Sequence, residues 1–123
     1  MTMKRRPQET DRGEDDLAGL ASALLGLRSP DEVRAFLEDL CTPAELEAMT
    51  DRWRVVPLLY GNVPYREIHD RTQVSVTTIG RVARTLERGA GGYAIAYQRQ
   101  VDEGDKNTSE AGKTGSASPS NSD

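Results

Sequence analysis

The chain has one cysteine, one histidine, six aromatic residues and no long apolar run. Each shortage removes a class of protein. Cys41 alone cannot close an internal disulfide, and with His69 as the sole imidazole there is no ladder of Cys and His at metal-ligand spacing. The longest apolar stretch, residues 17–27, is half the roughly 20 residues needed to cross a bilayer. It also follows Glu14, Asp15 and Asp16, where a secretory signal carries positive charge. A soluble, cytoplasmic chain with no membrane partner, no metal and no cofactor is expected. Cys41 reads as a small apolar residue, not a nucleophile, because the only base on offer, His69, falls on another predicted helix with no orienting motif. No enzyme is expected.

Apolar side chains are confined as well as few. Every Leu, Ile and Val and all six aromatics lie between Leu17 and Val101. A core-forming segment of that length buries roughly 60 to 65% of its unfolded surface, which leaves a monomer marginal and favours a dimer. Residues 1–14 and 102–123 offer nothing to bury and are expected to be disordered tails flanking one domain over 15–101.

Lysine is absent from residues 17–101, where ten arginines balance ten acids. The balance hides a division. Arg28 and Arg34 face seven acids between 28 and 51, whereas the eight arginines from Arg52 to Arg99 meet only Glu67, Asp70 and Glu87, a net of +5. A phosphate backbone responds to that local field, so the overall charge of -4 does not argue against nucleic acid.

The apolar spacing is helical throughout. Leu17, Leu20, Leu24 and Leu27 form one stripe, closed by Gly26 and then Ser29-Pro30. Ser29-Pro30-Asp31-Glu32 has the form of a capping box and opens a second helix with Val33, Phe36, Leu37 and Leu40 inward. Thr42-Pro43-Ala44-Glu45 repeats that grammar and opens a longer helix whose inner face is Leu46, Met49, Trp53, Val56 and Tyr60. Pro57, late in it, removes the bond to the Trp53 carbonyl and should bend or end the helix. After Gly61-Asn62, a short helix over 64–71 turns Ile68 inward. Thr72, Gln73 and Val74 then make a turn, and Ser75 caps a fifth helix with Ile79, Val82, Ala83 and Leu86 buried and Gly89 at its end. Residues 93–101 fit a short helix or an extended segment. The fold class is all-α.

Two short helices joined by a three-residue turn, the second opening with Ser75, describe a helix-turn-helix. Its outer face carries the chemistry. Thr77, Arg81, Arg84 and Arg88 recur at steps of 4, 3 and 4, with Thr78 and Thr85 at the margin. In a major groove, Thr meets a thymine methyl at the reading end while Arg pairs with guanine or holds phosphate. The same stripe is open to a second reading, a helical protein–protein interaction module that has lost operator binding.

The segments CTPAELEAMTDRWRVVPLL and VPYREIHDRTQVSVTTIGRVARTLERGAGGY together resemble the Trp repressor superfamily, specifically its YerC/YecD branch. The resemblance covers roughly residues 20–97. It implies an intertwined homodimer and sequence-specific binding of double-stranded DNA in transcription regulation. Residue by residue, it places groove reading on Val76, Thr77 and Thr78 and backbone contact on Tyr65, Arg66 and His69; Ser75, Arg81, Arg84 and Arg88 join them as DNA-binding candidates from the spacing on the fifth helix alone. It also implies an effector pocket for an amino-acid-like ligand at Thr42, Arg52 and Arg81, although an ion pair of Arg52 with Asp51, Glu45 or an acid across the dimer is the favoured reading of that residue. Three departures stand out. Gln73 occupies a turn position where Gly is usual, Val82 replaces a glycine and counts against tryptophan as the ligand, and the linker from Leu59 to Pro64 is one residue shorter.

Overall fold

The computed structural model describes residues 7–117, with side chains over 12–105. Six helices account for its regular structure: α1 Pro7–Leu25, α2 Pro30–Leu40, α3 Pro43–Tyr60, α4 Tyr65–Thr72, α5 Val76–Arg88 and α6 Gly92–Ala117. No strand occurs among the described residues. The described backbone divides into two compact units, the first ending at Leu46 and the second beginning at Glu47.

In the first unit the boundaries follow local polar chemistry. Ser29 Oγ accepts from the Glu32 amide at 3.1 Å, while the Glu32 carboxylate takes the Arg28 amide at 2.8 Å. Thr42 and Glu45 close a reciprocal box at the start of α3: Thr42 Oγ1 accepts from the Glu45 amide at 3.1 Å and Glu45 Oε1 from the Thr42 amide at 2.8 Å. The apolar stripes are less well covered than their spacing suggests. Leu20, Leu27, Val33, Phe36 and Leu37 are half-buried, but Leu17 is 67% exposed, Leu24 38% and Leu40 52%. No described residue of this unit is fully buried.

The second unit holds the core. Val55 and Val56 of α3, Ile68 of α4, Val74 of the turn and Ile79 and Val82 of α5 are buried together, with Trp53, Leu58, Leu59, Leu86, Tyr93 and Tyr97 packed around them. The inner face of α3 is therefore broader and displaced from the expected stripe. Met49 and Tyr60 are only partly covered, 37% and 42% exposed, whereas Val55, adjacent to Val56, is fully buried. Neighbouring residues point about 100° apart on a helix, so burying both means that α3 is covered on two sides there. The helix runs through Pro57 to Tyr60 before Gly61 and Asn62 turn the chain. Residues 93–101 are helical, and Tyr97 of α6 stacks on Tyr60 with ring centroids 4.4 Å apart.

Helix reaches into both segments expected to be disordered, since α1 begins at Pro7 and α6 ends at Ala117. A helix meets its backbone hydrogen bonds internally, so its ends are not bounded by the apolar stripe from which the expectation was drawn. Residues 1–6 and 118–123 of those segments lie outside the described residues.

Gln73 ends α4 in the left-handed region, φ 66° and ψ 10°, where its amide donates to the His69 carbonyl at 2.7 Å. A side chain in that conformation costs about 1 kcal/mol, partly offset by the bond from Gln73 Nε2 to the Asp70 carbonyl at 3.1 Å. Gln73→Gly should therefore raise stability by about 0.5 kcal/mol once the extra backbone entropy of glycine is counted. Chemical denaturation checks this, and a lower midpoint would refute it. Gly89 is required for a different reason: a Cβ there would lie 2.7 Å from the Thr85 carbonyl oxygen.

Candidate nucleic-acid interface

Helices α4 and α5 pack on each other and share Ile68 and Ile79 in the core, so their outer faces are held in one relation. The start of α5 is organised by Ser75. Its Oγ accepts from the Thr78 amide at 3.1 Å and donates to Thr78 Oγ1 at 3.0 Å, which leaves the Thr78 hydroxyl proton unspent. Val76 and Thr77 are exposed, and Thr78 is half-buried. On α4, Tyr65 and Arg66 are exposed, and the Tyr65 ring lies close to Gly80 of α5, where a Cβ would touch it at 4.0 Å.

His69 is half-buried and bridges the turn. Its Nδ1 lies 2.8 Å from the Val74 carbonyl oxygen, and since a carbonyl only accepts, Nδ1 carries the proton. Thr72 reinforces the same turn, donating to the Ile68 carbonyl at 2.7 Å and accepting from the Val74 amide at 3.1 Å. Only Nε2 of His69 is left for a partner outside the turn. An Asn amide nitrogen mimics Nδ1 and a Gln amide nitrogen mimics Nε2, so the two roles separate. His69→Asn should keep the melting temperature and weaken duplex affinity about 3- to 10-fold, while His69→Gln should lower stability by about 1 kcal/mol with affinity largely kept. The reverse pattern in paired melting and binding assays would reject this assignment.

The arginines sort into paired and unpaired sets. Arg71 donates from both Nε and Nη2 to one oxygen of Glu67, Oε2, and Arg54 takes Asp51 at 3.4 Å, so the carboxylate nearest Arg52 in sequence is spent on another partner. Among the described residues, Arg52, Arg66, Arg81, Arg84, Arg88 and Arg99 form no ion pair. Arg81, Arg84 and Arg88 are exposed on one stripe of α5, and all three border a shallow hollow with Thr85 and Gly89. Exposed surface pairs contribute little to stability. Unspent guanidinium groups on one face are instead available to an external anion.

Beside this face is a cavity of about 250 Å³ lined by Arg52, Thr78, Arg81, Val82, Thr85 and Tyr93. It brings together Arg52 and Arg81, two of the three expected effector residues. Thr42 is not in its lining and is engaged in the α3 capping box. Val82, 1% exposed, forms part of the wall. Tyr93 is the residue the spacing did not point to; it lies in a segment without a clear stripe, and only the four-residue step to Tyr97 hinted at a shared helical face.

The Trp repressor protein family model matches residues 15–101. The chain belongs to the Trp repressor family. This family is one of transcription regulators. Among its relatives, the uncharacterized protein YerC of Bacillus subtilis is 34% identical over 88 residues, covering 72% of this chain and 84% of YerC. A TrpR-like protein from Eubacterium eligens has a crystal structure that is similar at 34% identity and TM-score 0.66, over 70% of this chain and 89% of that one. A second, from Staphylococcus aureus and described as a candidate Trp repressor, matches at 30% identity and TM-score 0.68, over 78% and 95%. The all-α fold of this Trp repressor family member is thus shared with solved relatives. Among the described residues no helix is long and apolar enough to cross a membrane, and no cluster of His, Cys, Asp and Glu is suited to a metal ion.

Proposed function

We propose that this chain is a sequence-specific, homodimeric DNA-binding transcription regulator. The observation that carries the reading is the α5 face, where exposed Thr77 precedes Arg81, Arg84 and Arg88, none of them neutralised by a described carboxylate. Val76, Thr77 and Thr78 meet base edges from the N-terminal end of the helix. Tyr65, Arg66 and His69 hold the backbone from α4. Membership of the Trp repressor family supports the same assignment, and the cavity at Arg52 and Arg81 is the place for a small-molecule effector.

Selection of bound duplexes from random DNA tests it. With Arg66, Arg84 and Arg88 of both protomers at phosphates, the logarithm of the affinity should fall with the logarithm of salt at a slope of about -5. Recovery of no duplex above background, or salt-insensitive binding, would reject the reading, and a stoichiometric acidic protein partner would point to an interaction module.

The dimer rests on the first unit, where α1 and α2 leave Leu17, Leu25 and Leu40 exposed and bury nothing fully. Sedimentation at micromolar concentration should return twice the 13.5 kDa chain mass. A monomer mass would contradict the dimer without touching the α5 assignment.

A further inference from the structure

Helix α5 contains one glycine, Gly80, and ends at another, Gly89, and the two stand there for different reasons. Gly89 is demanded by the fold, because a Cβ would fall 2.7 Å from the Thr85 carbonyl oxygen. Gly80 is not. Its backbone is helical, and a Cβ there would meet nothing nearer than Tyr65 Cε2 at 4.0 Å, an ordinary van der Waals contact. A glycine inside a helix weakens it about four- to five-fold in the folding equilibrium relative to alanine. Packing within the chain returns nothing for that loss.

What Gly80 does is thin the outer face of α5. Residues three and four apart are neighbours on a helix, so Gly80 lies between exposed Thr77 and exposed Arg84. The Tyr65 ring, itself 42% exposed, walls one side of the gap. The surface so uncovered is hydrocarbon, the Cα of Gly80 and the edge of that ring, because the Gly80 amide and carbonyl fall within the hydrogen-bond ladder of α5. A base edge that brought a carbonyl or an amino group there would lose water and gain no partner, which is costly. Among the groups on the major-groove edges, the 5-methyl of thymine needs no hydrogen bond.

We infer that Gly80 determines specificity: with no side chain, it lets α5 close on the 5-methyl group of a thymine, which packs on the Gly80 backbone against the Tyr65 ring. The inference rests on reading α5 as the helix that enters the major groove. An alanine fills the gap and holds the helix away from the base, yet it suits the helix better. Chain stability and duplex affinity therefore respond to Gly80→Ala in opposite directions. A residue with only a packing role would move both the same way.

Melting of the full chain is paired with binding to a duplex selected from random DNA, in which each thymine is replaced in turn by deoxyuridine. That replacement removes the methyl and keeps every hydrogen-bonding group. At one thymine in each half-site it should weaken the parent chain about 3- to 10-fold and leave Gly80→Ala unaffected. Gly80→Ala should also melt about 3–8 °C higher than the parent and bind the thymine duplex about 5- to 50-fold more weakly. A lower melting temperature in Gly80→Ala, an unchanged duplex affinity, or a parent chain indifferent to every deoxyuridine would overturn the proposal and leave the regulator reading standing. A parent chain that binds no duplex at all would remove both.

Discussion

Arg84→Ala is expected to weaken binding to every duplex by a similar factor, while Thr77→Ala is expected to flatten the preference among duplexes. The difference follows from position on α5. Thr77 lies in the first turn after the Ser75 cap and is exposed, where a short side chain reaches base edges only if the helix N-terminus enters the groove. Arg84 lies two turns later, exposed and without an ion pair among the described residues, where a long cation spans the gap to phosphate. Loss of a phosphate contact lowers the salt slope by about 1 per site and leaves the ranking of sequences intact. Loss of a base contact costs about 1–3 kcal/mol on the preferred site and little elsewhere. Fluorescence anisotropy on a selected duplex and a scrambled one, at several salt concentrations, separates the two. If both substitutions reduce both duplexes equally, α5 is a backbone-binding helix and sequence is read elsewhere.

These positions were legible in the sequence because they depend on local rules. Ser75, Thr42 and Ser29 announce their helices through bonds to residues three positions on, and each of those bonds is present. Gln73 stands where a three-residue turn calls for a left-handed residue, and its φ of 66° meets that demand. The cavity was legible only in part. Arg52 and Arg81 carry charge and a family resemblance, but the part played by Tyr93 depends on how α6 returns over α3, a long-range packing choice that spacing within α6 does not encode. The core face of α3 failed for a related reason. A single stripe presumes one neighbour, and α3 buries Val55 and Val56 side by side.

Ile68→Ala should release α4 before the rest of the second unit unfolds. Ile68 is the sole fully buried residue of that helix, and α4 has only eight residues. A helix that short does not persist in water without tertiary contacts. Removing the Ile side chain from a packed core costs about 2–5 kcal/mol, set against a total stability of about 5–15 kcal/mol for a typical domain. The cost is concentrated on α4 because the buried side chains of α3 and α5 still hold one another through Val55, Val56, Ile79 and Val82. Amide hydrogen exchange should therefore show lost protection over residues 65–72 with α5 largely protected, together with lost duplex binding. Glu67→Ala on the same helix breaks only the exposed pair with Arg71 and should cost no more than about 0.5 kcal/mol. Equal protection of α4 in Ile68→Ala and the parent chain would mean that Tyr65 against Gly80 and the Thr72 and His69 bonds across the turn hold α4 without its core anchor. In that case the turn, not the core, sets the angle at which the two helices meet a duplex.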